Sequence, residues 1–266
     1  MSLLVYRNQP PIQCVIFDLG STLIYFDTDW SSVLPTYNHA LVEGLDRAGF
    51  PVDPVRFPEE FGLRMDAYYD ERDTEFIEYT TGYILRVLLT DIGYAHVTND
   101  VLRPVLRHLY TTTQAHWHSE EDAVPTLARL HELGYRLAIL SNASDDADVQ
   151  TLIDNAHLRP YLDAILTSAA AGIRKPNPRI FHYLLDQLGI PPEQAVMVGD
   201  TLGADILGAH NVGMPGIWID RRADKPANHA HLDTILPEAT ISELSVLPSL
   251  LEGWNRDRQA GDSRGT

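Results

Sequence analysis

From residue 120 onward, short β-branched or apolar runs alternate with segments of helical period, and that alternation restricts the chain to βαβ units on a parallel sheet. The spacing predicts a helix over Asp122 to Leu133, with Val124, Leu127, Leu130 and Leu133 on one face, Pro125 near its start and Gly134 as its stop. Tyr135 to Leu140 reads as a buried strand. A helix over Asp146 to Asn155 and a strand over Leu162 to Leu166 follow. The helix behind Asn177-Pro178 should bury Phe181, Leu184, Leu185 and Leu188 and stop at Gly189. Ala195 to Val198 and Gly216 to Ile219 complete the expected strand series.

An equivalent strand, Gln13 to Phe17, stands about 100 residues upstream, a gap far longer than a crossover helix needs. Residues 29–115 are helical in pattern throughout, with segments expected over Val33 to Ala48, Glu59 to Asp70, Glu75 to Leu89 and Asn99 to Thr112. The expected organisation is α/β: a Rossmann-like parallel sheet with helices on both faces over residues 11–28 and 116–250. A small all-helical domain is inserted after the first strand, over 29–115, and a disordered polar tail is expected over 251–266.

With 266 residues and 44% of them apolar, the chain can bury one large core or two compact ones. Its 20 basic and 37 acidic residues give a net charge of −17, a field that repels nucleic-acid phosphates and anionic lipid, so neither partner is expected. An anionic substrate remains compatible where a metal ion and a few cations reverse the potential inside one pocket. Cys14 is the single cysteine and reads as a small buried hydrophobe. Met1 to Pro10 carries no apolar stretch long enough for a signal peptide, and a soluble, cytoplasmic protein is expected. The sequence is silent on oligomeric state.

Four segments carry chemistry: Asp18-Leu19-Gly20-Ser21-Thr22, Ser141-Asn142, Lys175-Pro176, and Gly199-Asp200 followed by Asp205. Each falls at, or in the loop after, the carboxyl end of an expected strand, where open parallel sheets bind ligands. Carboxylates, an ammonium and a hydroxyl converging there are what a divalent metal and a phosphoryl group require. A carboxylate attacks phosphorus usefully only when its repulsion from the phosphoryl oxygens is cancelled, so Asp18 needs a cation beside it. The chain has two lysines, Lys175 and Lys225, against eighteen arginines, and the one in the motif-bearing loop suggests a need for a compact point charge. Lys225 reads as a solvated loop lysine.

In these motifs and their order the chain resembles the haloacid dehalogenase superfamily, most of whose members are phosphatases. The resemblance implies that Asp18 is a nucleophile passing through an aspartyl-phosphate and that Ser141 hydrogen-bonds the transferring group. It further implies that Lys175 neutralises that group, with Asn142 and Thr22 also binding substrate. Magnesium would be held by Asp18, Asp200, Asp205 and the backbone carbonyl of Gly20, and the inserted helices would form a cap. The expected substrate is a small phosphorylated metabolite.

One position departs from the pattern. Where typical phosphatases of this superfamily carry a second Asp that protonates the leaving oxygen and activates water, this chain has Gly20. General acid-base catalysis is worth ~10²–10⁴ in rate, so its loss slows the reaction without erasing it. The preferred reading is a phosphatase whose leaving group needs little protonation, such as an acyl or anomeric sugar phosphate, or one borrowing an acid from Asp27, Asp29 or the cap. A weakly active phospho-ligand binder and a dehalogenase-like hydrolase stand as alternatives. A phosphonate-cleaving relative relies on a cap lysine, which residues 29–115 lack. The pairs His116/His118 and His229/His231 read as ordinary histidines. Trp30, Tyr68, Tyr69, Phe76, Tyr79 and Tyr83 read mostly as core of the helical insert, and Arg64, Arg72 and Arg86 as solvated or substrate-facing cations.

Overall fold

A computed structural model describes residues 9–222 and 224–262. Six parallel strands form the main sheet among these residues, in the order β5-β4-β1-β6-β7-β8. They are β1 (Cys14–Phe17), β4 (Arg136–Ser141), β5 (Ala164–Thr167), β6 (Ala195–Gly199), β7 (Gly216–Ile219) and β8 (Ala239–Ile241). The strand β8, three residues long at the sheet edge, extends the expected series by one. A separate antiparallel ribbon pairs β2 (Ile24–Phe26) with β3 (Trp117–Ser119) and so ties together the two connections to the helical insert.

The strands are apolar on both faces because both faces are covered. Val15, Phe17, Leu137, Ile139, Val196 and Val198 enter one core, while Cys14, Ile16, Ala138, Leu140, Ala195 and Met197 alternate into the other. The first core is closed by α5 (Ala123–Glu132), α6 (Asp146–Asn155) and α11 (Leu247–Asp262), and the second by α8 (Pro178–Leu188) and Ala209 of α9 (Leu207–His210). Two further short helices are α7 (Ser168–Ala171) and α10 (Pro226–His229).

The expected disorder over 251–266 is corrected: α11 runs to Asp262, and only 263–266 lie outside the described residues. Leu247, Leu251, Trp254 and Arg258 recur at spacings of four, three and four and form its buried stripe. Asn255 caps the stripe, accepting from the Ile12 amide at 2.7 Å and donating to the Ile12 carbonyl at 3.0 Å. Arg258 donates to the carbonyls of Pro10 and Glu193 at 2.6 and 2.9 Å.

The insert consists of α1 (Trp30–Arg47), α2 (Arg56–Glu75), α3 (Thr81–Asp91) and α4 (Asn99–Gln114), which bury a core of their own around Leu41, Leu45, Leu85, Leu88, Leu102 and Leu109. The contact between α1 and α4 is tight because Gly44 has no side chain: a Cβ there would lie 3.2 Å from Val105 Cγ1. The third helix begins at Thr81 rather than at the expected Glu75. Phe76, in the left-handed region at φ 54°, turns the chain so that Ile77 bridges Ile173 of the sheet unit. Thr80 then caps the helix by accepting from the Tyr83 amide at 3.1 Å.

This seam between the two units is polar and buried. The Phe76 carbonyl accepts from the Arg174 amide at 3.0 Å, and the Glu78 amide donates to Gly172 at 3.2 Å. The Glu78 carboxylate, 1% exposed, accepts from Tyr68 Oη at 2.6 Å, Ser168 Oγ at 2.7 Å and Arg174 Nη1 at 3.1 Å. Among the described residues no helix is long and apolar enough to cross a membrane.

Candidate active site

The strand order reverses beside β1, which lies between β4 and β6, and the crevice at the carboxyl ends of these three strands gathers the motif residues. Asp18 follows β1, Ser141 ends β4, and Asp200 follows β6. The turn after β1 is tight: Ser21 takes the left-handed region at φ 62° while its amide donates to Ile24 at 2.6 Å. Behind β6, the wide turn Leu202–Ile206 carries Asp205 back under Gly199, where a Cβ would fall 2.3 Å from the Asp205 carboxyl carbon. Glycine at 199 is therefore a condition of Asp205 reaching the site.

Carboxylate oxygens of Asp18, Asp200 and Asp205 lie within 4.8 Å of one another. Lys175 is 2% exposed, and its ammonium donates to Asp18 Oδ1 at 2.7 Å, Asp205 Oδ1 at 2.6 Å and the Leu140 carbonyl at 2.7 Å, which uses all three of its protons. Asn142 holds the loop that carries it, accepting from the Lys175 amide at 2.8 Å and donating to the Lys175 carbonyl at 3.0 Å. Burial pulls the Lys175 ammonium down, but the charges of Asp18 and Asp205 outweigh this and leave it above its ordinary value. Burial, reinforced by Asp18 and Asp205, pushes Asp200 up to about 7, and burial likewise raises Asp205. Three oxygen donors so crowded and desolvated fit a hard divalent cation such as magnesium, which would relieve both effects.

Lys225 was expected to be solvated, and this is corrected. Its ammonium pairs with Asp200 Oδ2, and its side chain is 32% exposed. The backbone carbonyl of Asp200 accepts from Trp218 Nε1 at 3.0 Å and Asn228 Nδ2 at 2.8 Å, so this residue is held at its backbone as well as at its carboxylate. No local pattern around residue 225 signals a partner 25 positions back.

Asp18, Gly20, Ser141, Asn142, Lys175, Asp200 and Asp205 all line one cavity of about 1450 Å³ between the sheet unit and the insert. Thr22 does not: it is fully buried beneath the turn and absent from the wall, which corrects its expected part in substrate binding. The insert contributes Trp30, Leu34, Tyr37, Phe61, Met65, Tyr69 and Phe76 to the same wall. Trp30 and Tyr69, half-exposed, and Phe76 are therefore wall rather than core, whereas Tyr68 is buried in the insert's core. Arg72 lines the cavity too, while Arg64 pairs with Asp91 at 2.7 Å and Arg86 with Asn99 at 3.0 Å.

Neither Asp27 nor Asp29 reaches the cavity wall. Hydrogen bonds from His118 at 2.7 Å and His116 at 2.9 Å hold the Asp27 carboxyl below the usual carboxylate range, so it is no substitute proton donor. Two carboxyls that the sequence did not flag, Asp145 and Asp148, do line the cavity near Tyr37 and Tyr110. Burial pushes Asp148 up to about 6 against a hydrogen bond from Gln114 Nε2 at 2.8 Å, and burial raises Asp145 as well.

The sequence profile described as "Hydrolase: haloacid dehalogenase-like hydrolase" matches residues 12–213. A glyceraldehyde 3-phosphate phosphatase of Pyrococcus furiosus is 28% identical over 253 residues, which cover 92% of this chain and 94% of that one. Among solved structures, a 2-haloacid dehalogenase from Pseudomonas syringae pv. Tomato DC3000 superimposes with a TM-score of 0.63 at 25% identity, covering 91% of this chain and 99% of its own. A phosphatase from Thermococcus onnurineus gives a TM-score of 0.60 at 24% identity, with coverage of 91% and 99%, a likeness of fold.

Proposed function

The chain belongs to the haloacid dehalogenase-like hydrolases, and on that footing we propose that it is a magnesium-dependent phosphatase of a small phosphorylated metabolite, with Asp18 as nucleophile. The observation that carries this reading is the convergence of Asp18, Asp200 and Asp205 within 4.8 Å, with the Lys175 ammonium seated on two of them. The phosphatase relative, similar over nearly the whole chain, supports the same class of reaction.

Asp18, Asp200, Asp205 and the Gly20 carbonyl would hold magnesium, which when bound neutralises phosphoryl oxygens and orients the group for in-line attack. An Asp18 oxygen forms the bond to phosphorus as the ester P–O bond breaks, and the electron pair leaves with the alcohol oxygen. Lys175 offsets the charge of the carboxylates facing the phosphoryl group, and the Ser141 hydroxyl offers it a hydrogen bond. Water then attacks phosphorus, releasing inorganic phosphate and restoring Asp18. The helical insert acts as a cap, its buried seam at Glu78 and Arg174 setting how it sits over the site.

The test is phosphate release from sugar, acyl and aryl phosphates, with and without magnesium, alongside halide release from 2-chloropropionate. Magnesium-dependent phosphate release lost in Asp18→Asn is the expected result. Halide release without phosphate release would instead support a dehalogenase, against which the retained Asp200 and Asp205 speak.

A further inference from the structure

Gly20 is not merely short of a carboxylate. A Cβ built on it would lie in ordinary van der Waals contact with the indole of Trp117, 3.5 Å from Cη2 and 3.7 Å from Cζ3, so the ring flanks this position. Trp117 is fixed there by the ribbon: it pairs in register with Phe26, their rings lie 5.3 Å apart, and both line the cavity. Where a proton donor would face the leaving oxygen, the site presents an aromatic wall.

The wall continues across the cavity. Trp30, Leu34, Phe61, Met65, Tyr69 and Phe76 present apolar or aromatic surface to it, and Trp30, at 51% exposure, is left uncovered by the protein itself. The cavity, about 1450 Å³, exceeds the ~300–1,000 Å³ usual for small-molecule sites and far exceeds what a three-carbon phosphate fills. Large uncovered apolar walls favour a leaving group that buries apolar surface, and the missing donor favours one that departs without a proton.

An aromatic hydroxyl meets both demands. We infer that the preferred substrates are aryl phosphates, an inference that rests on the phosphatase reading. As the Asp18 oxygen bonds to phosphorus, the P–O(aryl) bond breaks and the phenolate carries off the electron pair, delocalising it into the ring. The phenolate takes its proton from solvent afterwards, and water hydrolyses the aspartyl-phosphate to free phosphate.

Four probes separate the two demands: phenyl phosphate, benzyl phosphate (aromatic, poor leaving group), acetyl phosphate (good leaving group, not aromatic) and glyceraldehyde 3-phosphate. The expected kcat/KM for phenyl phosphate exceeds that for each of the others by at least about tenfold. Trp30→Ala should lower kcat/KM for phenyl phosphate at least about fivefold more than for acetyl phosphate. Gly20→Asp should raise turnover of benzyl phosphate more than that of phenyl phosphate, and Asp148→Asn should not narrow turnover to good leaving groups. Acetyl phosphate or glyceraldehyde 3-phosphate matching phenyl phosphate, with release still dependent on magnesium and Asp18, would overturn the inference and leave the phosphatase reading standing. Release from none of the four would overturn both.

Discussion

At the carboxyl edge of the sheet, charge is dense and fixed: three carboxylates and two ammonium groups, with Lys175 spending every proton on a named acceptor. Across the cavity, α1 and α2 offer mainly rings and alkyl groups, with Glu59, Asp66 and Arg72 among them. The sheet edge has the geometry of a reaction centre because parallel strands end there with backbone order enforced by both cores. The helices, whose own core is separate, leave their wall free to vary with the substrate. On the proposed reading, chemistry and selection are divided between two units that share a buried seam at Glu78 and Arg174.

That division can be broken at the seam first. Glu78→Ala leaves the buried Arg174 guanidinium without its carboxylate and takes an acceptor from Tyr68 and Ser168, and should cost about 3–5 kcal/mol of stability in urea unfolding. A cost below about 1 kcal/mol would mean the seam is wet and the units move independently.

Asp148 gives a smaller effect of opposite sign. Burial raises its folded value to about 6 from 3.8, so the native state holds the proton more tightly and the charged form is destabilising. Stability contributed by this group therefore falls as pH rises from about 4 to 6. Asp148→Asn should stabilise by about 1–2 kcal/mol at pH 8, with the gain fading towards pH 4. A gain equal at both pH values would contradict a titrating cause.

The smallest expected effect is at Lys225, whose ammonium occupies Asp200 Oδ2. Lys225→Met should tighten magnesium binding several-fold, on the order of 1 kcal/mol, by calorimetry. Weaker binding would show that Lys225 orients Asp200 rather than competing for it.

Much of the sheet was legible because β1, β6 and the Leu137 to Leu140 stretch of β4 are apolar runs leading into chemistry-bearing residues. The ribbon was not, since β2 and β3 are three residues each and their pairing joins positions such as Phe26 and Trp117. That pairing is what sets the indole beside Gly20, a neighbour that could not be read from Gly20 alone. Phe76 to Glu78 carry helical neighbours but pair with the sheet unit, a tertiary choice that overrides local period. The polar tail hid a stripe whose first member, Leu247, belonged to the preceding segment, and whose last, Arg258, is buried by two carbonyls. Asp18, Ser141 and Asp200 were expected at strand ends, Lys175 in the loop after a strand and Asp205 behind Asp200, while Lys225 and Asp148 were placed by packing alone.

The most direct test is mass spectrometry of Asp18-containing peptides from enzyme quenched during turnover of phenyl phosphate. A phosphoryl group on Asp18 that requires magnesium is the predicted result. Phosphate release with Asp18 unmodified at every quench time, and undiminished in Asp18→Asn, would contradict the account.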